Sequence, residues 1–142
     1  MKKMRIIPFL FIFLSVYTLT GQTKNLDIAV KGIEEVKGQI VVLVFENKED
    51  FPKDQKLART FLFPVSKKEM TVTLKGLPVK DCAVMLYHDQ DKNGKCNQNF
   101  IGMPVEKIGF SNNLRPKVRA PKFEDARIRA DQTRIAIELY KM

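Results

Sequence analysis

Apolar and polar positions alternate with a period of two along much of the chain, which predicts a series of short strands. Leu26, Ile28 and Val30 share one face of residues 26–32, the mark of a strand with one side buried. Residues 40–45 (IVVLVF) have no alternation; they are apolar throughout and largely β-branched, which predicts a central strand covered on both faces. Residues 60–65 fit a short edge strand, the only place Pro64 is tolerated. Met70, Val72 and Leu74 alternate with Thr71, Thr73 and Lys75, and Gly76-Leu77-Pro78 predicts the end of that strand. Residues 82–88 run as a strand into a loop at Asp89. Near the C-terminus, Ile135, Ile137 and Leu139 oppose Arg134, Ala136 and Glu138.

The connections are equally readable. Residues 48–56 are charged and aperiodic, a loop with a helical turn near residues 55–59. Residues 109–113 (GFSNN) read as a turn whose Asn side chains cap backbone groups. Residues 115–122 (RPKVRAPK) carry four cations and two prolines, an extended basic loop that either binds anions or faces water. About seven short strands separated by turn signals, with no long helical period, predict an all-β fold: an immunoglobulin-like or transthyretin-like β-sandwich.

The N-terminus changes where this domain begins. Lys2, Lys3 and Arg5 precede a mostly apolar run over residues 6–16 and a small-residue exit at residues 18–21, so residues 1–21 read as a signal peptide. The run is shorter than the roughly 20 residues of a membrane span, and no transmembrane span is expected after cleavage. A single domain of about 121 residues, 22–142, is left, enough for one core. The expected location is periplasmic or secreted.

The whole chain has a formal net charge of +9, and loss of the first 21 residues leaves 22 basic against 16 acidic side chains, about +6. A basic exported domain suits contact with a glycan, a protein or lipid headgroups at the cell envelope. Nucleic acid is not an expected partner, because no RNA-binding, helix-turn-helix or zinc-finger pattern is present. Two cysteines, Cys82 and Cys96, would meet an oxidising compartment. A bridge between them would contribute about 3 kcal/mol, but Cys82 begins a strand and Cys96 lies beyond its far end, so both the bridged and the free state stay open.

The stretch with chemistry is residues 87–113. Asp89, Asp91, Asn93, Gly94, Lys95 and Asn97 follow the order D-x-D-x-N-G-x-x-N, the spacing with which oxygen ligands wrap around Ca²⁺, the Gly allowing the sharp turn. The expected ligands are Asp89, Asp91, Asn93, the Lys95 carbonyl and Asn97, with Glu106 folding back to complete the shell, or Asn99 or water in its place. This is not an EF-hand: the twelfth loop position is Phe100 where a bidentate Glu is needed, and the preceding segment is strand-like. Two carboxylates inside the loop, offset by Lys92 and Lys95, imply weak binding, roughly 10⁻⁴ to 10⁻³ M. The same residues also build an unliganded turn, Asn93-Gly94 being a hairpin signal in itself.

An ordered set of residues in and around this stretch carries a family resemblance. Gly76 to Pro78, Ala83-Val84, His88-Asp89, the D-x-D-x-N-G loop, Asn99, Gly102, Pro104, Glu106, Gly109 to Asn113, then Phe123, Asp125 and Ala126 resemble a family of exported proteins catalogued as domain of unknown function twenty-one forty-one. The resemblance covers nearly all of residues 22–142 and implies a small exported β domain, without implying an activity, substrate or catalytic residue. The family pattern commonly has Asp where this chain has Asn97, and an aromatic and an aliphatic residue in place of Cys82 and Cys96.

Two functions follow as expectations. One is a non-enzymatic exported module whose loop is supported by calcium and presents a ligand or partner surface. The other is a small hydrolase or carbohydrate-processing enzyme using His88, Asp89, Glu106 and Ser111. His88 and Asp89 are adjacent in a strand and so point to opposite faces, and G-F-S-N-N lacks the G-x-S-x-G elbow that exposes a nucleophile. Tyr87, Phe100 and Phe110 are aromatic candidates for stacking on sugars or for the core.

Overall fold

The structure, a computed structural model, describes residues 21–142; the signal-peptide reading, apart from Gly21, lies outside the described residues. Eight strands are present among these residues: β1 (Thr23–Lys31), β2 (Gln39–Phe45), β3 (Arg59–Pro64), β4 (Met70–Pro78), β5 (Cys82–Asp89), β6 (Ile108–Phe110), β7 (Arg127–Ile128) and β8 (Arg134–Glu138). They form two sheets, β4-β1-β8 and β3-β2-β5-β6, with β7 also pairing β5. The fold is an all-β sandwich. In the immunoglobulin order the first, second, fourth and fifth strands share a sheet; here β1 and β4 are separated from β2 and β5. The transthyretin-like alternative of the two expected types remains.

The alternation seen in the sequence is the alternation of burial. Leu26, Ile28 and Val30 of β1 and Val72 and Leu74 of β4 pack against Ile40, Val42, Val44, Val84 and Leu86 from the facing sheet. The chain closes with β8 lying parallel to β1, pairing Ile28 with Ile135 and Val30 with Ile137. β4 does not stop at Gly76: its pairing with β1 slips by one residue between Lys24 and Leu26 and continues to Pro78. Such a bulge absorbs the extra residue, and β4 is an edge strand, where the missing N–H of Pro78 leaves no ladder bond unmade.

A second apolar cluster explains why β2 and β5 lack alternation. Their outer faces (Val41, Leu43, Phe45, Ala83, Met85 and Tyr87) are covered by Phe51, Phe110, Phe123 and Ala126. Phe51 lies edge-to-face against Phe45 at 5.2 Å and against Phe110 and Phe123 at 6.1 Å each, a favoured ring geometry. The short helix Phe123–Ala126 belongs to this cover, and Ala58, just after the 3-10 turn Gln55–Leu57, packs against it. Burial on both sides makes the β2–β5 pair a rigid base for whatever its ends carry.

One of those ends is the candidate loop. The β2–β5 register sets Gln39 opposite Asp89 and Ile40 opposite His88. Gly38 precedes them with φ +71°, and a Cβ there would lie 2.6 Å from the Gln90 α-carbon and against the Asp89 carbonyl. Only glycine accommodates both the conformation and the close approach.

Candidate metal-binding loop

β5 delivers successive side chains to opposite faces of the sheet. Val84 and Leu86 point into the space between the sheets, whereas Met85 and Tyr87 point outward, and Asp89 follows the outward set at the strand end. Asp89 is fully buried. Its Oδ2 accepts from Gln39 Nε2 at 2.8 Å and from the Gly94 N–H at 2.9 Å, and its Oδ1 accepts from the Asn93 N–H at 3.1 Å. Burial pushes the Asp89 carboxyl up, but hydrogen bonds from Gln39, Gly94 and Asn93 outweigh it and hold the group below the ordinary 3.8.

The rest of the loop is tied by its own side chains. Asn93 Nδ2 donates to Asp91 Oδ2 at 2.9 Å and to Asn97 Oδ1 at 3.0 Å, and Asn93 Oδ1 accepts from the Lys95 N–H at 2.8 Å. An amide nitrogen therefore sits between the oxygens of two expected ligands. Gly94 adopts φ +73° with open space around its α-carbon, so its role is conformational.

Glu106 returns to the loop through a hairpin. The Val105 N–H donates to the Asn97 carbonyl at 2.9 Å, Gln98 bridges to Pro104, and the Asn99 N–H donates to the Met103 carbonyl at 2.8 Å. Glu106 Oε2 accepts from the Asn97 N–H at 3.3 Å. One carboxylate oxygen each from Asp89, Asp91 and Glu106 lie within 4.8 Å of one another. Burial raises the Glu106 carboxyl above the ordinary 4.5, and the charges of Asp89 and Asp91 add to that rise, against a lowering by the Asn97 N–H.

Of the six expected ligand residues, Asp89, Asp91 and Glu106 converge through their carboxylates, and Asn93, Lys95 and Asn97 are hydrogen-bonded around them. Asn99 does something else: its Oδ1 accepts from the Ile101 and Met103 N–H groups at 3.1 and 2.9 Å and caps the hairpin tip. Phe100, at that tip, is fully exposed. Gln39 was not a sequence candidate, although its place one residue before the apolar run of β2 put it at the strand end beside β5.

His88 and Ser111 lie away from the converging carboxylates. His88 is buried, on the face opposite Asp89, with Nε2 2.8 Å from the Lys37 carbonyl and Nδ1 without a partner among the described residues. The buried Ser111 hydroxyl accepts from the Val84 N–H at 3.1 Å and donates to the Ala126 carbonyl. It joins β5 to the Phe123–Ala126 helix. The neighbouring Asn112 and Asn113 cap backbone groups as the sequence suggests, Asn112 Nδ2 donating to the Asp125 carbonyl at 2.9 Å and Asn113 Oδ1 accepting from the Glu138 N–H at 2.8 Å.

Both thiols are free. Cys82 is buried on the inner face of β5, and Cys96 packs half-buried against the outer cluster. Burial, with a smaller effect of Glu106, pushes the Cys96 thiol up to about 11. Tyr87, likewise pushed up to about 12 mainly by burial, forms with Val41 and Leu43 the floor of an open cleft of about 670 Å³, walled by Gly94, Lys95 and Cys96. Among the described residues no helix is long and apolar enough to cross a membrane.

A family described as an uncharacterized protein conserved in bacteria (DUF2141) matches residues 28–138. No curated protein and no solved structure matches the chain. The match begins in β1, ends in β8 and includes the whole loop from Asp89 to Glu106, and on this ground the chain belongs to the DUF2141 family.

Proposed function

We propose that the protein is an exported, non-enzymatic β-sandwich module whose loop at residues 89–97, completed by Glu106, binds Ca²⁺ weakly and so stiffens the end of the domain that presents a ligand or partner surface. The observation that carries this reading is the convergence of Asp89, Asp91 and Glu106 oxygens within 4.8 Å. Oxygens gathered this closely can share one ion, and the larger, more flexible oxygen shell of Ca²⁺ suits a mixed carboxylate, amide and carbonyl set better than the strict octahedron of Mg²⁺. Mutual repulsion among these carboxylates, which helps to raise Glu106, would be relieved by a divalent cation. Asn97 and the Lys95 carbonyl are neutral ligands in this reading, consistent with weak affinity and with a compartment where calcium is plentiful. The basic start and apolar run of residues 1–21 support export.

Calorimetric titration of chelator-treated protein with Ca²⁺ tests the metal. The expected result is one site with a dissociation constant of roughly 10⁻⁴ to 10⁻³ M, lost in Asp91→Ala. Heat that survives that substitution unchanged would move binding elsewhere, and no heat at millimolar Ca²⁺ would end the proposal.

A further inference from the structure

Two loops carry apolar side chains that the fold leaves wholly in water. Phe100 is 100 % exposed at the tip of the hairpin that ends at Glu106, and Val118 is 99 % exposed in the middle of the basic loop. These loops are neighbours: Gly102, Met103 and Pro104 form one wall, and Pro116, Val118 and Pro121 the other, of a single cleft of about 310 Å³. Ile101, beside Phe100, is also exposed, at 69 %. Apolar side chains held out singly at loop tips are not a core that failed to close, because Met85 and Phe110, which line the same cleft, are already buried.

The charges that the two loops themselves carry are all positive, with Asp125 beside the second loop and Arg115 paired to Glu138. Residues 97–105 and 114–122 contain no Asp or Glu, and the second segment supplies Arg115, Lys117, Arg119 and Lys122. Lys117 and Arg119 flank Val118, both are exposed, and neither takes part in an ion pair among the described residues. Residues 117–119 form a bend between Pro116 and Pro121, with Lys117 and Arg119 on either side of the exposed Val118. Protruding apolar groups bracketed by unpaired cations match the boundary of an anionic bilayer, where the apolar groups pass below the headgroups and the cations remain among the phosphates. A protein partner would more commonly meet an aromatic anchor set in a packed patch.

We infer that the paired loops around Phe100 and Val118 form a docking surface for a membrane rich in anionic phospholipid. The surface stands apart from the calcium reading, since Phe100, Ile101 and Val118 are not expected metal ligands. Binding is reversible and strongly salt-dependent, because exposed charges supply much of it.

The test is co-sedimentation of the purified protein, in chelator and low salt, with vesicles of phosphatidylcholine alone or mixed with phosphatidylglycerol. Two double variants are compared with the unsubstituted chain, Phe100→Ser with Val118→Ser and Lys117→Glu with Arg119→Glu. All carry the same N-terminal segment, so differences among them report on the loops. All four positions are exposed, and unchanged circular dichroism and melting confirm intact folding. The expected result is partition onto phosphatidylglycerol vesicles, little onto phosphatidylcholine, and at least about a tenfold loss in each variant. No partition onto anionic vesicles, equal partition onto neutral ones, or no effect of either double variant would overturn the proposal. Retention on a soluble acidic glycan without vesicle partition would also overturn it, assigning the surface to a polysaccharide.

Discussion

Gly38 lies against the main chain of Asp89 so closely that no side chain fits between them. The contact fixes the exit of the loop from β5 against the entry of β2, and it depends on a positive φ as well as on space. Gly38→Ala is therefore expected to destabilise the domain by about 2–4 kcal/mol, through backbone strain and displacement of the neighbouring strand end. Urea unfolding should show a lower midpoint with an unchanged slope. A midpoint equal to that of the unsubstituted protein would mean that the two segments are not in contact.

Asp89 is expected to stabilise the fold as a carboxylate even without metal. Its folded pKa lies below the ordinary 3.8, so its contribution is full above that value and lost as pH falls through the folded value. In chelator, Asp89→Asn should cost about 1–3 kcal/mol at pH 7, because an amide cannot accept from Gln39, Asn93 and Gly94 in the same way. The difference should shrink below about pH 4. Chemical denaturation across pH reads it directly, and a pH-independent difference would contradict the assigned charge state.

Glu106 should behave in the opposite sense. Its folded pKa is raised above 4.5, so the group favours the fold below 4.5 and that contribution disappears as pH rises through the folded value. In chelator at pH 7, Glu106→Gln should leave stability equal or higher, since Gln Oε1 still accepts from the Asn97 N–H. With Ca²⁺ present the same variant should lose the stabilisation seen in the parent. Destabilisation by Glu106→Gln in chelator would show that the carboxylate is needed for structure alone.

Cys82 and Cys96 are free in the fold, one buried and one pushed up to about 11. Two thiols should titrate in protein unfolded without reductant. Both should react slowly when it is native at pH 8, where little thiolate is present. No titratable thiol after unfolding would indicate a bridge and a different path for residues 90–96.

Ser111→Ala should cost about 1–3 kcal/mol, because it leaves the Val84 N–H and the Ala126 carbonyl without the hydroxyl that joins them. A variant as stable as the parent would show that the hydroxyl is not a structural bridge.

Much of this architecture is legible in the sequence because burial follows alternation. Leu26, Ile28 and Val30 and the unbroken run from Ile40 to Phe45 appear in the structure as an alternating and a doubly covered strand. The return of Glu106 is legible as well, since a carboxylate nine residues beyond Asn97 is within reach of a short hairpin. What is hidden is set by contacts distant in sequence. The parallel pairing of β1 with β8 depends on topology, which alternation does not encode. The donor role of Gln39 depends on register with β5, and the cover that Phe51 and Phe123 place over the second face depends on how two irregular segments fold back. Pro78 misled because a proline stops a central strand but not the end of an edge strand.

The most direct test of the central claim is the thermal unfolding midpoint in 10 mM Ca²⁺ against the same protein in chelator. Binding at roughly 10⁻⁴ to 10⁻³ M would add about 1.4–2.7 kcal/mol at that concentration, which for a domain of this size corresponds to a rise of about 5–10 °C. Asp91→Ala should abolish the rise. Identical midpoints with and without calcium, or a rise that survives Asp91→Ala, would contradict the account.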